Sequence, residues 1–346
     1  MSPSEPVAGL VVRTVDYHTG GEPFRIVVDG APALEGRTVL ERRRWVRDHA
    51  DHVRRLLIDE PRGHADMYGC FVTPPDDAGA DLGVVFFHNE GYSTACGHGT
   101  IALVTWAIDE GRVRVDGPEA SVVVDVPSGR LDCRARLGDG RVTSVAFRNV
   151  PSWVLAQGVE VPTSRGAIPV DVAFGGAFYG SVDVRAIGLD VSRASLPALI
   201  ALQRELRPAL EALVDPRHPD APDLAGVYGV IFWQSEPAEP GADLVQRNVT
   251  VFADGEVDRS PCGSGTSARL ALLDAAVSGG PLGRGATLRH RSIVDSIFTG
   301  RVVGDGPEVG GRPTVITEVE GSAFRTGRHV FELDPRDTLG TGFLLR

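Results

Sequence analysis

CGHGTIAL at residues 96–103 and CGSGTSAR at residues 262–269 carry one pattern twice, Cys-Gly-x-Gly-Thr-x-Ala. Each copy leaves an irregular, glycine-containing stretch and enters an apolar run at helical spacing: TIALVTWAI after Cys96, TSARLALLDAAV after Cys262. That order places each cysteine just ahead of a helix N-terminus. A second pair lies in the same order, VDYHTGGEPFRIVVD (15–29) against VDVAFGGAFYGSVDV (170–184), sharing Val-Asp and Gly-Gly. The copies are 166 residues apart for the cysteine loops and 155 for the Gly-Gly segments. One short match arises easily by chance, whereas two in the same order point to an internal duplication. The chain is expected to fold as two similar α/β (α+β) halves divided near Asn149–Trp153, residues 1–150 carrying Cys96 and 151–324 carrying Cys262.

Outward from these loops, most segments are short, β-branched and punctuated by Gly and Pro. VVRTVDYHTGGEPFRIVVDG reads as two strands around a Gly-Gly turn, LGVVFFHNEGY as a buried strand entering a loop, and ASVVVDVPSGRLDCRARL as a hairpin. RPTVITEVEGSAFRTGRHVFEL adds two strands near the end. Residues 38–58 set Val39, Val46, Ala50, Val53 and Leu57 at helical spacing, with an arginine run expected on the solvated face. Residues 195–214 form a second amphipathic pattern in which Pro208 is expected to kink or break the helix.

With 346 residues, 42% hydrophobic and 23% charged, the composition is that of a soluble globular protein. A formal charge of −11 disfavours nucleic acid or an acidic membrane as partner. No apolar run approaches the ~18 residues of a membrane span, and no secretory leader is evident. Four cysteines, at 70, 96, 133 and 262, form no CxxC pair, which fits free thiols in the cytoplasm. All 35 basic residues are arginine. Without a lysine there is no Schiff base to pyridoxal phosphate and no Walker A phosphate loop.

A cysteine beside a helix N-terminus meets unpaired N–H groups and the positive end of the helix dipole, which together favour its thiolate. The same N–H groups suit a substrate carboxylate, and glycine lets it approach closely. Removing a proton α to a carboxylate and returning one to the opposite face needs a base and an acid on opposite sides of the carbon. Two equivalent thiols from two halves match that task. The plainer reading is two small buried cysteines at helix starts, which their repetition disfavours. Cys70 and Cys133 lack the glycine-rich context and are read as structural. His98 has no partners at metal-ligand spacing, so it is expected near the carboxylate or as a neutral histidine in the loop, and no metal is expected. His64 in EPRGHADMYG is the other histidine in a polar setting. Asp258 either accepts a bond from the substrate nitrogen or caps its own loop.

HTGGEPFR (18–25), EPRGHADMYG (60–69), GYSTACGHGT (91–100), GGAFY (175–179) and DRSPCGSGTSA (258–268) resemble the motifs of the proline racemase superfamily, and the resemblance spans essentially the whole chain. It implies a diaminopimelate-epimerase-like fold: two pseudo-symmetric halves, each a curved sheet around a central helix, the active site between them and a C-terminal strand (about 325–346) returning to the first half. It implies Cys96 and Cys262 as acid–base thiols, Gly97, His98, Gly263 and Ser264 around the carboxylate, and Asp258 toward the imino nitrogen. Tyr68 and Phe252 would wall the ring. It also implies a cofactor-independent homodimer acting on a small imino acid. A second cysteine favours racemisation or epimerisation of proline or a hydroxyproline. HTGGEPFRIV, EPRGHADMYG and HNEGYST lean instead toward trans-3-hydroxy-L-proline dehydratases. A non-catalytic imino-acid binder is the third reading.

Overall fold

The computed structural model describes residues 9–275 and 282–345. The first eight residues, the end of the apolar run at Ala276–Val277 and Arg346 lie outside them. Strands β1 (Val11–Thr19) and β2 (Glu22–Asp29) are followed by helices α1 (Val39–His49) and α2 (Asp51–Ile58). Next come β3 (Tyr68–Thr73), β4 (Leu82–His88), α3 (Gly97–Asp109), β5 (Glu119–Val126), β6 (Gly129–Gly138) and β7 (Arg141–Arg148). The chain then repeats itself with β8 (Trp153–Thr163), β9 (Gly166–Phe174), β10 (Phe178–Asp183), α4 (Leu196–Leu213), β11 (Val227–Ser235) and β12 (Leu244–Phe252). A short β13 (Glu256–Asp258) precedes α5 (Gly263–Ala275), β14 (Leu288–Ser292), β15 (Ile297–Val309), β16 (Arg312–Gly321) and β17 (Ala323–Glu332).

The duplication is legible in the pairing. From β17 through β1 to β7, successive neighbours run antiparallel, antiparallel, parallel, antiparallel, parallel, antiparallel, antiparallel. The series β8-β9-β10-β11-β12-β14-β15-β16 repeats that order of senses. The two series join where β7 pairs antiparallel with β16. Each wraps one helix, α3 inside the first and α5 inside the second. From Gly97 to Ala107 and from Gly263 to Leu273 every residue of these helices is buried, as befits a helix enclosed by sheet on all sides. The repeated Gly-Gly segments fall at equivalent hairpins. Gly20–Gly21 (φ +61° and +90°) makes the two-residue turn between β1 and β2, where Thr19 faces Glu22. Gly175–Gly176 lies between β9 and β10.

Several local expectations change. Residues 38–58 form two helices, because Ala50 leaves helical geometry (φ −137°, ψ 24°). The arginine run is not wholly solvated: Arg42 donates to the Pro74 carbonyl, and Arg54 to Asp51 and the His88 carbonyl, both side chains being buried. Helix α4 runs through Pro208, where burial of Leu199, Leu202, Leu206 and Leu210 outweighs a helix-interior proline's cost of about 3 kcal/mol. The last strand ends at Glu332; the following Asp-Pro and Gly turns carry the chain to a single bridge between Phe343 and Glu60. No helix among the described residues is long and apolar enough to cross a membrane.

Candidate active site

Cys96 is the N-cap of α3, extended at φ −154°, and its Sγ accepts the Gly99 N–H at 3.2 Å. A Cβ on residue 99 would stand 2.6 Å from that sulfur, so the second glycine of the motif makes room for the thiol over the first turn. Gly265 does the same for Cys262, where a Cβ would come within 2.9 Å of Sγ. The first glycines serve differently. A Cβ on Gly97 would lie 2.4 Å from the Gly263 Cα, and one on Gly263 would lie 2.6 Å from the Gly97 Cα. The two helix N-termini therefore touch backbone to backbone, bringing both cysteine loops to one place. Their leading N–H groups have no carbonyl in the preceding turn to meet. The loops are not identical: Cys262 sits at φ +62°, a left-handed conformation costing about 1 kcal/mol for a non-glycine residue.

The electrostatics correct one expectation. Both thiols are buried, and loss of hydration pushes each well above its ordinary value. For Cys96 the Gly99 N–H pulls the other way, and for Cys262 the Asp258 carboxylate adds to the rise. Burial outweighs the helix N-terminus and favours the protonated form of both sulfurs. His98 lies in the first turn of α3 rather than in the loop, with both ring nitrogens 3.5 Å from Cys96 Sγ. Burial lowers its pKa to about 3, which makes the ring neutral at physiological pH.

Asp258, on β13, accepts the Ser260 N–H at 2.8 Å and approaches His98 Nδ1 at 3.9 Å. Capping of its own loop is thus present in the structure. Glu22 is fully buried and accepts the Arg259 N–H at 2.7 Å, tying the Gly-Gly hairpin of the first half to the second cysteine loop. Burial raises both carboxyl groups, and Asp258 raises Glu22 further. Ser264 Oγ is 2.7 Å from the Tyr179 hydroxyl, which also accepts from Cys262 Sγ at 3.8 Å.

Aromatic rings link one thiol to the other. The Tyr68 ring stands edge-on to His98 at 4.8 Å and to Phe252 at 6.0 Å. Tyr228 stacks on Phe252 at 5.2 Å, reaches the Tyr68 hydroxyl at 3.0 Å, and meets the Tyr179 ring at 5.6 Å. All nine residues proposed from sequence therefore fall in one cluster, while His64 is exposed and bonded to its neighbour's carbonyl outside it. Sequence reasoning missed Glu22, Ser93, Tyr179 and Tyr228. The first three lie inside the quoted motifs, whereas Tyr228 stands in an ordinary alternating strand with nothing to mark it. A cleft of about 310 Å³ between the halves is lined by Ser93, Thr94, Phe178 and Tyr228, and neither thiol opens onto it.

Fold and site together define a class: an enzyme of two like halves that meet at one buried cluster of two thiols and aromatic rings. The chain belongs to the proline racemase family, whose profile matches residues 14–344. It is 44% identical over 335 residues to a trans-3-hydroxy-L-proline dehydratase of Bacillus cereus, covering 97% of this chain and 98% of the relative. It is 46% identical over 336 residues to a 3-hydroxyproline 2-epimerase of Burkholderia multivorans, with the same coverage. Among solved structures, a hydroxyproline epimerase from Agrobacterium vitis with bound trans-4-hydroxy-L-proline superposes with a TM-score of 0.88 at 32% identity, covering 97% of this chain and 96% of that one. Racemases, epimerases and a dehydratase thus share this fold, and the reaction turns on the residues of the site.

Proposed function

We propose that the enzyme inverts the α-carbon of a hydroxyproline, 3-hydroxyproline foremost, using Cys96 and Cys262 as its acid–base pair. The observation that carries this reading is the apposition of two cysteine-headed helix N-termini at Gly97 and Gly263. The substrate carboxylate meets the N–H groups of Gly97, His98, Gly263 and Ser264, with Asp258 toward the imino nitrogen and Tyr68 and Phe252 against the ring. One sulfur, as thiolate, takes the Cα proton, while the other thiol delivers its own proton to the opposite face, so the site ends in the mirror protonation state. The cationic ring nitrogen of the substrate offsets the burial that favours the neutral thiols.

This reading weighs two signals: motifs that lean toward the trans-3-hydroxy-L-proline dehydratases, and a cysteine at both acid–base positions, which favours inversion. The dehydratase reading is favoured by the name of the Bacillus cereus relative. It needs one base and a departing β-hydroxyl, giving a pyrroline-2-carboxylate. We further propose work without organic cofactor or metal, as a homodimer in the cytoplasm, where four free, buried cysteines fit a reducing compartment.

The test is incubation of trans-3-hydroxy-L-proline, trans-4-hydroxy-L-proline and L-proline in D₂O, following Cα deuteration, optical rotation and imine formation. Deuterated C2 epimer is expected, with the rate falling about 10²- to 10⁴-fold on Cys96→Ser or Cys262→Ser. Imine from the 3-hydroxy substrate without epimer would replace this reading by dehydration.

A further inference from the structure

Three hydroxyl groups meet beside the Phe252 ring. Tyr68 Oη donates to Ser93 Oγ and lies 3.0 Å from Tyr228 Oη. Tyr68 is 1% exposed and Ser93 3% exposed. The cluster is built from both halves: Tyr68 on β3 and Ser93 in the loop before Cys96 belong to the first, Tyr228 on β11 to the second. It is flanked by apolar ring, Phe252 stacking on Tyr228 and standing edge-on to Tyr68. Ser93 and Tyr228 also face the cleft between the halves, so the cluster stands between that cleft and the thiols.

A chamber made only for an unsubstituted pyrrolidine ring would be served best by apolar walls, because each buried hydroxyl must find a partner. Here the buried Tyr68 and Ser93 hydroxyls and the hydroxyl of the half-buried Tyr228 bond to one another. With two bonds among three groups, at least one O–H remains over, and no acceptor for a Ser93 proton is found among the described residues. A substrate hydroxyl, both donor and acceptor, completes such a cluster. A site that hydrogen-bonds a substrate hydroxyl discriminates strongly against the analogue lacking it.

We propose that Ser93, Tyr68 and Tyr228 form the subsite that reads the ring hydroxyl, and so set the preference for a hydroxylated proline over proline. This rests on the imino-acid reading of the thiol site above. The test uses the full-length enzyme and Ser93→Ala, Tyr68→Phe and Tyr228→Phe, each removing only an oxygen. Two quantities are compared: kcat/KM for trans-3-hydroxy-L-proline and the inhibition constant of L-proline as competitor. Their quotient, the selectivity for the hydroxylated ring, is expected to fall about tenfold in each variant, the scale of one lost hydrogen bond in a buried site. Thermal denaturation of each variant identifies any that misfolds, and the remaining two then decide. Unchanged selectivity in the folded variants, or an unmodified enzyme that prefers L-proline, would overturn the subsite. An unmodified enzyme that releases imine would overturn epimerisation instead, with the selectivity then read on imine formation.

Discussion

A thiol serves as base only once it has lost its proton, and burial holds both sulfurs well above their ordinary values. The exchange rate is therefore expected to climb with pH through neutrality and into the alkaline range. Stability moves oppositely. A buried thiol binds its proton more tightly folded than unfolded, so its contribution is complete below the unfolded value near 8.5 and is lost as pH rises beyond it. His98 has the reverse sign: its folded pKa of about 3 lies below the unfolded value of about 6.5, so its contribution is lost as pH falls from about 6.5 toward 3. Glu22 and Asp258, with raised values, oppose that acid limb, so the prediction is stated as a difference. His98→Asn should lose less stability than the unmodified chain between pH 6.5 and 4, by chemical denaturation at both values. Equal losses would mean that the ring is not held neutral. Single residues were also where sequence spoke most clearly. The doubled motif singles out Cys96, Cys262 and their glycines, because such chemistry needs fixed spacing along the chain. Tyr228 is invisible, because a tyrosine in VYGVIFWQS reads like any core residue until β11 is laid beside β12.

At the scale of elements, the site is a contact between two helix ends. Gly97 and Gly263 allow α3 and α5 to meet with Cα atoms closer than any β-carbon permits. Gly97→Ala and Gly263→Ala must therefore push the two first turns apart. Overpacking of this kind costs about 1–3 kcal/mol, so a Tm lowered by several degrees is expected together with loss of Cα exchange, since both thiols move with their helices. An alanine variant with unchanged Tm and rate would show that the helices do not meet as described. The expected reading of these elements failed where packing outweighs local preference. Leucine burial carries α4 through Pro208, and Arg42 and Arg54 turn inward because backbone carbonyls at Pro74 and His88 accept their protons. Neither partner lies close enough in sequence to be foreseen from periodicity.

For the whole molecule, duplication explains why a single site receives two chemically equal groups, and the meeting of the α3 and α5 N-termini locates it. Sequence revealed the repeat through its turns and cysteine loops, where glycine is demanded by geometry. It concealed the strand equivalence, because β-branched alternation looks alike in every strand. One asymmetry has a structural consequence. In the second half β8 precedes β9 directly in the chain, whereas its counterpart beside β1 is β17, drawn from the far end. Along β1, Val11 to Thr19 pair with Glu332 to Ala323, and Arg325 reaches the Tyr17 hydroxyl and Asp109 across that edge. Without β17, the edge of β1 and the buried Val12, Val15 and Tyr17 would lose their cover on one side. Deleting residues 323–346 should therefore abolish Cα exchange although the deletion lies far in sequence from Cys96. It should also yield aggregated or partly unfolded protein by size-exclusion chromatography and near-UV circular dichroism. A truncated chain that stays monodisperse, with a native near-UV spectrum and full activity, would show that the first half closes its sheet without the returning strand.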